Sequence, residues 1–90
     1  MNQPFSMLID GVYMIEGRGC IATGKIQGKV SIGDEVEISG LSTVVTSIET
    51  SSRFVEYAAE DGCFVGLVLR GINSEQISVG KTIKKIQNKL

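Results

Sequence analysis

Ninety residues suffice for one domain but not for two, and a chain of this length buries about 60–65% of its unfolded surface, enough for one modest core. Hydrophobic residues make up 42% of the sequence, which excludes a disordered chain. Nine Lys and Arg against ten Asp and Glu leave a net charge of −1, which excludes a domain that grips nucleic acid by bulk charge but permits a local basic contact.

Residues 1–90 are therefore expected to form a single domain, built of short runs broken by glycine. Residues 5–9 are apolar and end at the turn signal Asp10-Gly11. Residues 12–15 follow and stop at Glu16-Gly17-Arg18-Gly19. Residues 20–26 form the next run, closed by Gly28, and Val30-Ser31-Ile32 then leads into Gly33-Asp34. Val36-Glu37-Ile38 alternates apolar and charged, the mark of a strand with one wet face, and Gly40 ends it. Residues 43–50 are rich in β-branched side chains; strict alternation puts Val44, Thr46 and Ile48 on one face and the more polar set Val45, Ser47 and Glu49 on the other. Phe54, Val55 and Tyr57 suit a short strand, residues 63–69 form the strongest one, and residues 82–86 the last. The best helical candidate, residues 74–79, is too short to be more than a turn.

Six or seven evenly spaced strands with no helix between them point to an all-β fold, a small barrel or sandwich. Closure into a barrel would also hide the strand edges that a lone β domain otherwise exposes. The strand at residues 63–69 is apolar on both faces. Cys63, Val65, Leu67 and Leu69 point one way, and Phe64 and Val68, with Gly66 between them, point the other. Only one face of a small barrel lies inside, so the second is expected to meet a covering loop, another domain or a second copy.

Two apparent nucleotide motifs fail on context. Gly19-Cys20-Ile21-Ala22-Thr23-Gly24-Lys25 fits the phosphate-loop spacing, but the next residue is Ile26 where a Ser or Thr must hold magnesium, and the stretch suits a strand. Gly17-Arg18-Gly19-Cys20-Ile21-Ala22 fits a dinucleotide fingerprint, yet no helix follows it. Histidine is absent, which removes the usual triads and zinc sites. Neighbouring acids in Asp34-Glu35 and Glu60-Asp61 would point to opposite sides of a strand and suit wet turns better than acid–base catalysis. The expectation is a binding protein that is not an enzyme, with no cofactor, no metal and no catalytic residue. Cys20 and Cys63 lie far apart without a CxxC pairing and are expected to be reduced, in the cytoplasm. No apolar run approaches the roughly 18 residues of a membrane span, and residues 1–4 lack the features of a signal peptide.

Taken together, five motifs are specific in order and spacing: Gly17-Arg18-Gly19, Thr23-Gly24-Lys25, Gly33-Asp34-Glu35-Val36-Glu37-Ile38, Leu69-Arg70-Gly71-Ile72 and Val79-Gly80-Lys81. This pattern resembles the second domain of elongation factor Tu and its relatives among the translational GTPases, from about Pro4-Phe5 to Ile83. The resemblance implies a closed antiparallel barrel of about six strands. In the family this barrel packs against the GTPase domain that hydrolyses the nucleotide. It helps hold the 3′ end of aminoacyl-tRNA, and in related factors it meets the ribosome.

By that resemblance Arg18 and Glu49 match positions near the tRNA end, which makes Gly17, Arg18, Gly19 and Glu49 the candidates for contacting RNA or another partner. The glycines on either side of Arg18 suit a sharp turn that presents one cation; turn formation alone is the plainer account of the same residues. Phe64, Val68 and Arg70 are the candidates for an interface, with a structural ion pair or carbonyl contacts the alternative for Arg70. The sequence also departs from the family. Thr50-Ser51 stand where elongation factor Tu has Met-Phe after the acid, and Cys63-Phe64 stand where the family often has an acidic residue and Asn. Two functions remain open on these grounds. One is a translation-type module contacting RNA, the ribosome or a separate GTPase domain. The other is a structural barrel that forms a homo-oligomer through the Phe64 and Val68 face.

Overall fold

The computed structural model describes residues 4–17, 19–50, 53–58 and 61–86. Among them there is no helix. Strand β1 (Ser6–Ile15) forms a hairpin with β2 (Gly19–Gln27). Then come β3 (Val30–Ser31), β4 (Glu35–Ile38), β5 (Leu41–Thr50), β6 (Arg53–Val55), β7 (Tyr57–Ala58), β8 (Phe64–Leu69) and β9 (Thr82–Lys85). The main sheet runs β4-β9-β1-β2-β8-β5, and β4 also pairs with β5. That last pairing closes the ring, so six of the described strands form a closed barrel in which every pairing is antiparallel. Strand β6 extends the sheet beyond β5 as a hairpin, and β3 pairs with β7.

The inward side chains follow from the two-residue period of each strand. Met7 and Ile9 of β1, Cys20, Ala22 and Ile26 of β2, Val36 and Ile38 of β4, and Ile83 of β9 enter one core. Val65, Leu67 and Leu69 of β8 enter the same core, so the odd-numbered face of that strand is the inside. Val30 and Ala58 join from the β3–β7 pair, and Phe5, Ile72 and Ile77 from the connecting segments.

Two β-bulges correct the strand reading. Asp10-Gly11 does not turn the chain: β1 continues through it, with a register shift against β2 between Ile9 and Gly11. The extra residue lets one long strand switch faces without a break. The second shift lies in β5 against β8, between Val45 and Ser47. It carries both Val45 and Ile48 into the core, whereas strict alternation had set them on opposite faces. Thr46 is left exposed at the bulge, and its hydroxyl donates to the Val68 carbonyl at 3.3 Å.

The Gly33-Asp34 turn behaves as its sequence suggests. Gly33 has a positive φ of 95°, a conformation that costs glycine little. The Ser31 N–H donates to Asp34 Oδ2 at 2.8 Å, and the Lys85 ammonium sits 3.3 Å from the same oxygen. The turn is thus tied to β9, the strand that pairs with β4 on its other side.

Candidate functional site

The pairing registers place four of the sequence candidates, Gly19, Glu49, Phe64 and Val68, on one side of one sheet. Gly19, Ile21, Thr23 and Lys25 of β2 alternate with core residues and face outward. Thr23 stands opposite Gly66 of β8, which stands opposite Glu49 of β5, which stands opposite Phe54 of β6. The next row toward the β1–β2 tip joins Tyr13, Ile21, Val68 and Ser47. The next row away from it joins Leu8, Lys25 and Phe64. The outer face of β1, β2, β8 and β5 therefore carries Glu49, Phe64 and Val68 together.

Each candidate has its own setting. Gly17 and Gly19 lie at the hairpin tip with φ of 81° and 98°, so both occupy the region that L side chains rarely adopt. Arg18 lies outside the described residues. Glu49 is half-buried, and among the described residues its carboxylate has no ion-pair or hydrogen-bond partner. Gly66 beside it is buried and contributes no side chain, and Ile21 Cγ2 and Thr23 Cγ2 already lie 3.3 and 3.6 Å from the place its Cβ would take. Ile21 and Val68, in the adjacent row of the same face, are only 6% and 7% exposed and form an apolar patch beside the row of Glu49. Phe64 is 50% exposed. Arg70 is held by its backbone: its N–H donates to the Val44 carbonyl at 3.1 Å and its carbonyl accepts from the Thr43 hydroxyl, while the residue remains exposed.

Phe54 and Leu8, both 60% exposed, share this face and were not singled out by sequence. The signal for them is cross-strand register, which a single sequence does not carry. Phe54 comes back over the β5–β6 hairpin to stand beside Glu49. An aromatic side chain thus neighbours the acid although Thr50 follows it in sequence; Ser51 lies outside the described residues. Tyr13 leans along its own strand over Gly11, where an added Cβ would meet its ring at 2.9 Å and Thr23 Oγ1 at 2.8 Å.

The phosphate-loop look-alike, residues 19–25, is part of strand β2 and is followed by no helix among the described residues. Cys20 and Cys63 are both free thiols. Burial of Cys20 pushes its thiol above the usual range, because the charged thiolate is disfavoured away from water. No described helix is long and apolar enough to cross a membrane.

A closed antiparallel barrel with glycine turns and one continuous outer face of mixed aromatic, acidic and small residues defines a small β-barrel binding module. Its sequence matches the family model for elongation factor Tu domain 2 over residues 19–83, more than two thirds of the chain, and the chain belongs to that family. The match includes Glu49, Phe64, Val68 and Arg70, and it begins just after Gly17 and Arg18.

Proposed function

We propose that residues 1–90 form one non-catalytic barrel domain of a cytoplasmic translation factor, and that its outer β2–β8–β5 face receives the single-stranded end of aminoacyl-tRNA. The observation that carries this reading is the placement of Glu49. Its carboxylate has no partner among the described residues and stands opposite Gly66, next to the apolar row of Ile21 and Val68. Single-stranded ends are held in this way, by stacking an unpaired base on apolar or aromatic groups while an acceptor takes its N–H or a ribose hydroxyl. Arg18, between two glycines at the hairpin tip, supplies a cation for phosphate. The ribosome and a GTPase domain are the further partners of such a module. The reading assigns no nucleotide hydrolysis, since residues 19–25 lie along a strand.

Neither Glu49→Ala nor Arg18→Ala is expected to move the unfolding free energy by more than about 0.5 kcal/mol, as is usual for substitutions away from the core. Both are expected to weaken binding of aminoacyl-tRNA measured by fluorescence anisotropy. Arg18→Ala should also flatten the log–log salt dependence by about one unit, the signature of a lost phosphate contact. Unfolding of the Arg18→Ala protein would make that arginine structural. Undiminished binding by both variants would remove this face as the site.

A second reading, a self-associating structural barrel, is favoured by one observation, the exposed Phe64 and the exposed Leu8 on either side of Lys25 on the barrel wall.

A further inference from the structure

We infer that Leu8, Asp10, Lys25 and Phe64 form a self-complementary surface that pairs this chain with a second copy. The inference rests on the self-association reading and gives it a partner and a contact set. Leu8, Lys25 and Phe64 lie in one cross-strand row over β1, β2 and β8. Together with Asp10 at the β1 bulge and the edge of Ile9 they line one depression. The depression therefore holds two large apolar side chains, one cation and one anion.

That composition suits a two-fold contact, in which the same patch serves both partners and each residue meets its counterpart's complement. A two-fold axis beside Lys25, the middle residue of the row, sets Leu8 of one copy against Phe64 of the other and brings the two Lys25 side chains next to each other. Each long Lys25 arm then reaches Asp10 of the opposite copy. Asp10 and Lys25 are free for this, because the ion pair formed among the described residues is Lys85–Asp34. A net charge of −1 per chain adds little long-range repulsion between copies. Glu49 lies in the adjacent row and the hairpin tip further along the sheet, so the pairing surface borders the proposed RNA contact without sharing its residues.

With only two apolar side chains at its centre, the contact belongs to the small, reversible class. The test is the weight-average mass of the full chain by sedimentation equilibrium, between about 1 µM and 1 mM. The wild-type mass is expected to rise from 9.7 kDa towards twice that value. Phe64→Ser is expected to hold the mass at the monomer value. Asp10→Lys and Lys25→Asp, each alone, should do the same by placing like charges together. The double variant Asp10→Lys/Lys25→Asp should restore the rise, which general stickiness would not produce. A wild-type chain that stays monomeric throughout would overturn the self-association reading itself. A chain whose mass rises equally in Phe64→Ser and in both single reversals associates through another face, which would overturn this surface and leave the broader reading standing. Failure of the double variant to recover would also overturn the proposed pairing.

Discussion

Gly24→Ala is expected to be among the most destabilising single-methyl changes in this chain, lowering the unfolding free energy by about 3 kcal/mol, the upper end of the usual cost of overpacking. Gly24 lies in β2 opposite Ile9, at the edge of the β1 bulge. A Cβ there would collide with the backbone carbonyl oxygen of Leu8 and press on Met7 Cγ at 3.1 Å. The Leu8 oxygen belongs to a paired strand and has no rotamer to change, so relief requires parting β1 from β2. The φ of Gly24 is not in the left-handed region, so space and not conformation sets the requirement. Alanine would ordinarily gain about 0.4–1 kcal/mol by stiffening the unfolded chain, and the collision outweighs that. With a urea slope near 1 kcal/mol per molar, the midpoint should fall by about 3 M. Gly11→Ala is the control. Its Cβ would press on the side chains of Thr23 and Tyr13, of which the tyrosine ring can swing outward, so its cost should be smaller. An unchanged midpoint for Gly24→Ala would mean that β1 and β2 do not approach as described.

Leu67→Ala is expected to cost about 2–5 kcal/mol, the range for emptying a buried leucine site. Leu67 is fully buried at the middle of β8, between Ala22 of β2 and Ile48 of β5. Ala22 is too small to fill the space, and the barrel walls are held apart by their hydrogen-bond ladders, so collapse around the cavity is limited. A domain of this length loses about 4–8 °C of melting temperature per kcal/mol, so a fall of roughly 10 °C or more should be visible by circular dichroism. Against a typical total of about 5–15 kcal/mol, the loss is large. A melting temperature left in place by Leu67→Ala would place the odd-numbered face of β8 outside the core.

The barrel itself was legible in the sequence, because glycine turns and short β-branched runs are local signals. The face carried by residues 63–69 was legible too, since that strand keeps strict alternation from Phe64 to Leu69. What the sequence did not reveal lies at the two bulges. Asp10-Gly11 has the composition of a turn, and only the partner strand decides that the chain runs on. In β5 the inserted residue between Val45 and Ser47 brings Val45 and Ile48 to one side, and a one-residue slip reverses every assignment beyond it. The candidate site was legible in part. Glu49 was picked out by the family resemblance and Phe64 and Val68 by strand alternation, but their common face, and the arrival of Phe54 beside Glu49, depend on pairing between strands.

This geometry also separates the two functional readings. Both use the outer wall of β2 and β8, one near Glu49 and the hairpin tip, the other near Phe64 and Leu8. At the second place the side chain of Phe64 is exposed. Glu49, without a partner among the described residues, supports the RNA reading at the first; the exposed Phe64 supports self-association at the second.

The central claim is that the barrel wall around Glu49 takes the single-stranded end of aminoacyl-tRNA. The most direct measurement is fluorescence anisotropy of the full chain with aminoacyl-tRNA, compared with the same tRNA lacking its 3′-terminal single strand. The phosphates of the duplex body are common to both, so bulk electrostatic attraction is held nearly constant. The account predicts saturable binding to the first and at least a ten-fold weaker affinity for the second, about 1.4 kcal/mol. Equal affinity for the two RNAs, or binding to neither, would contradict it.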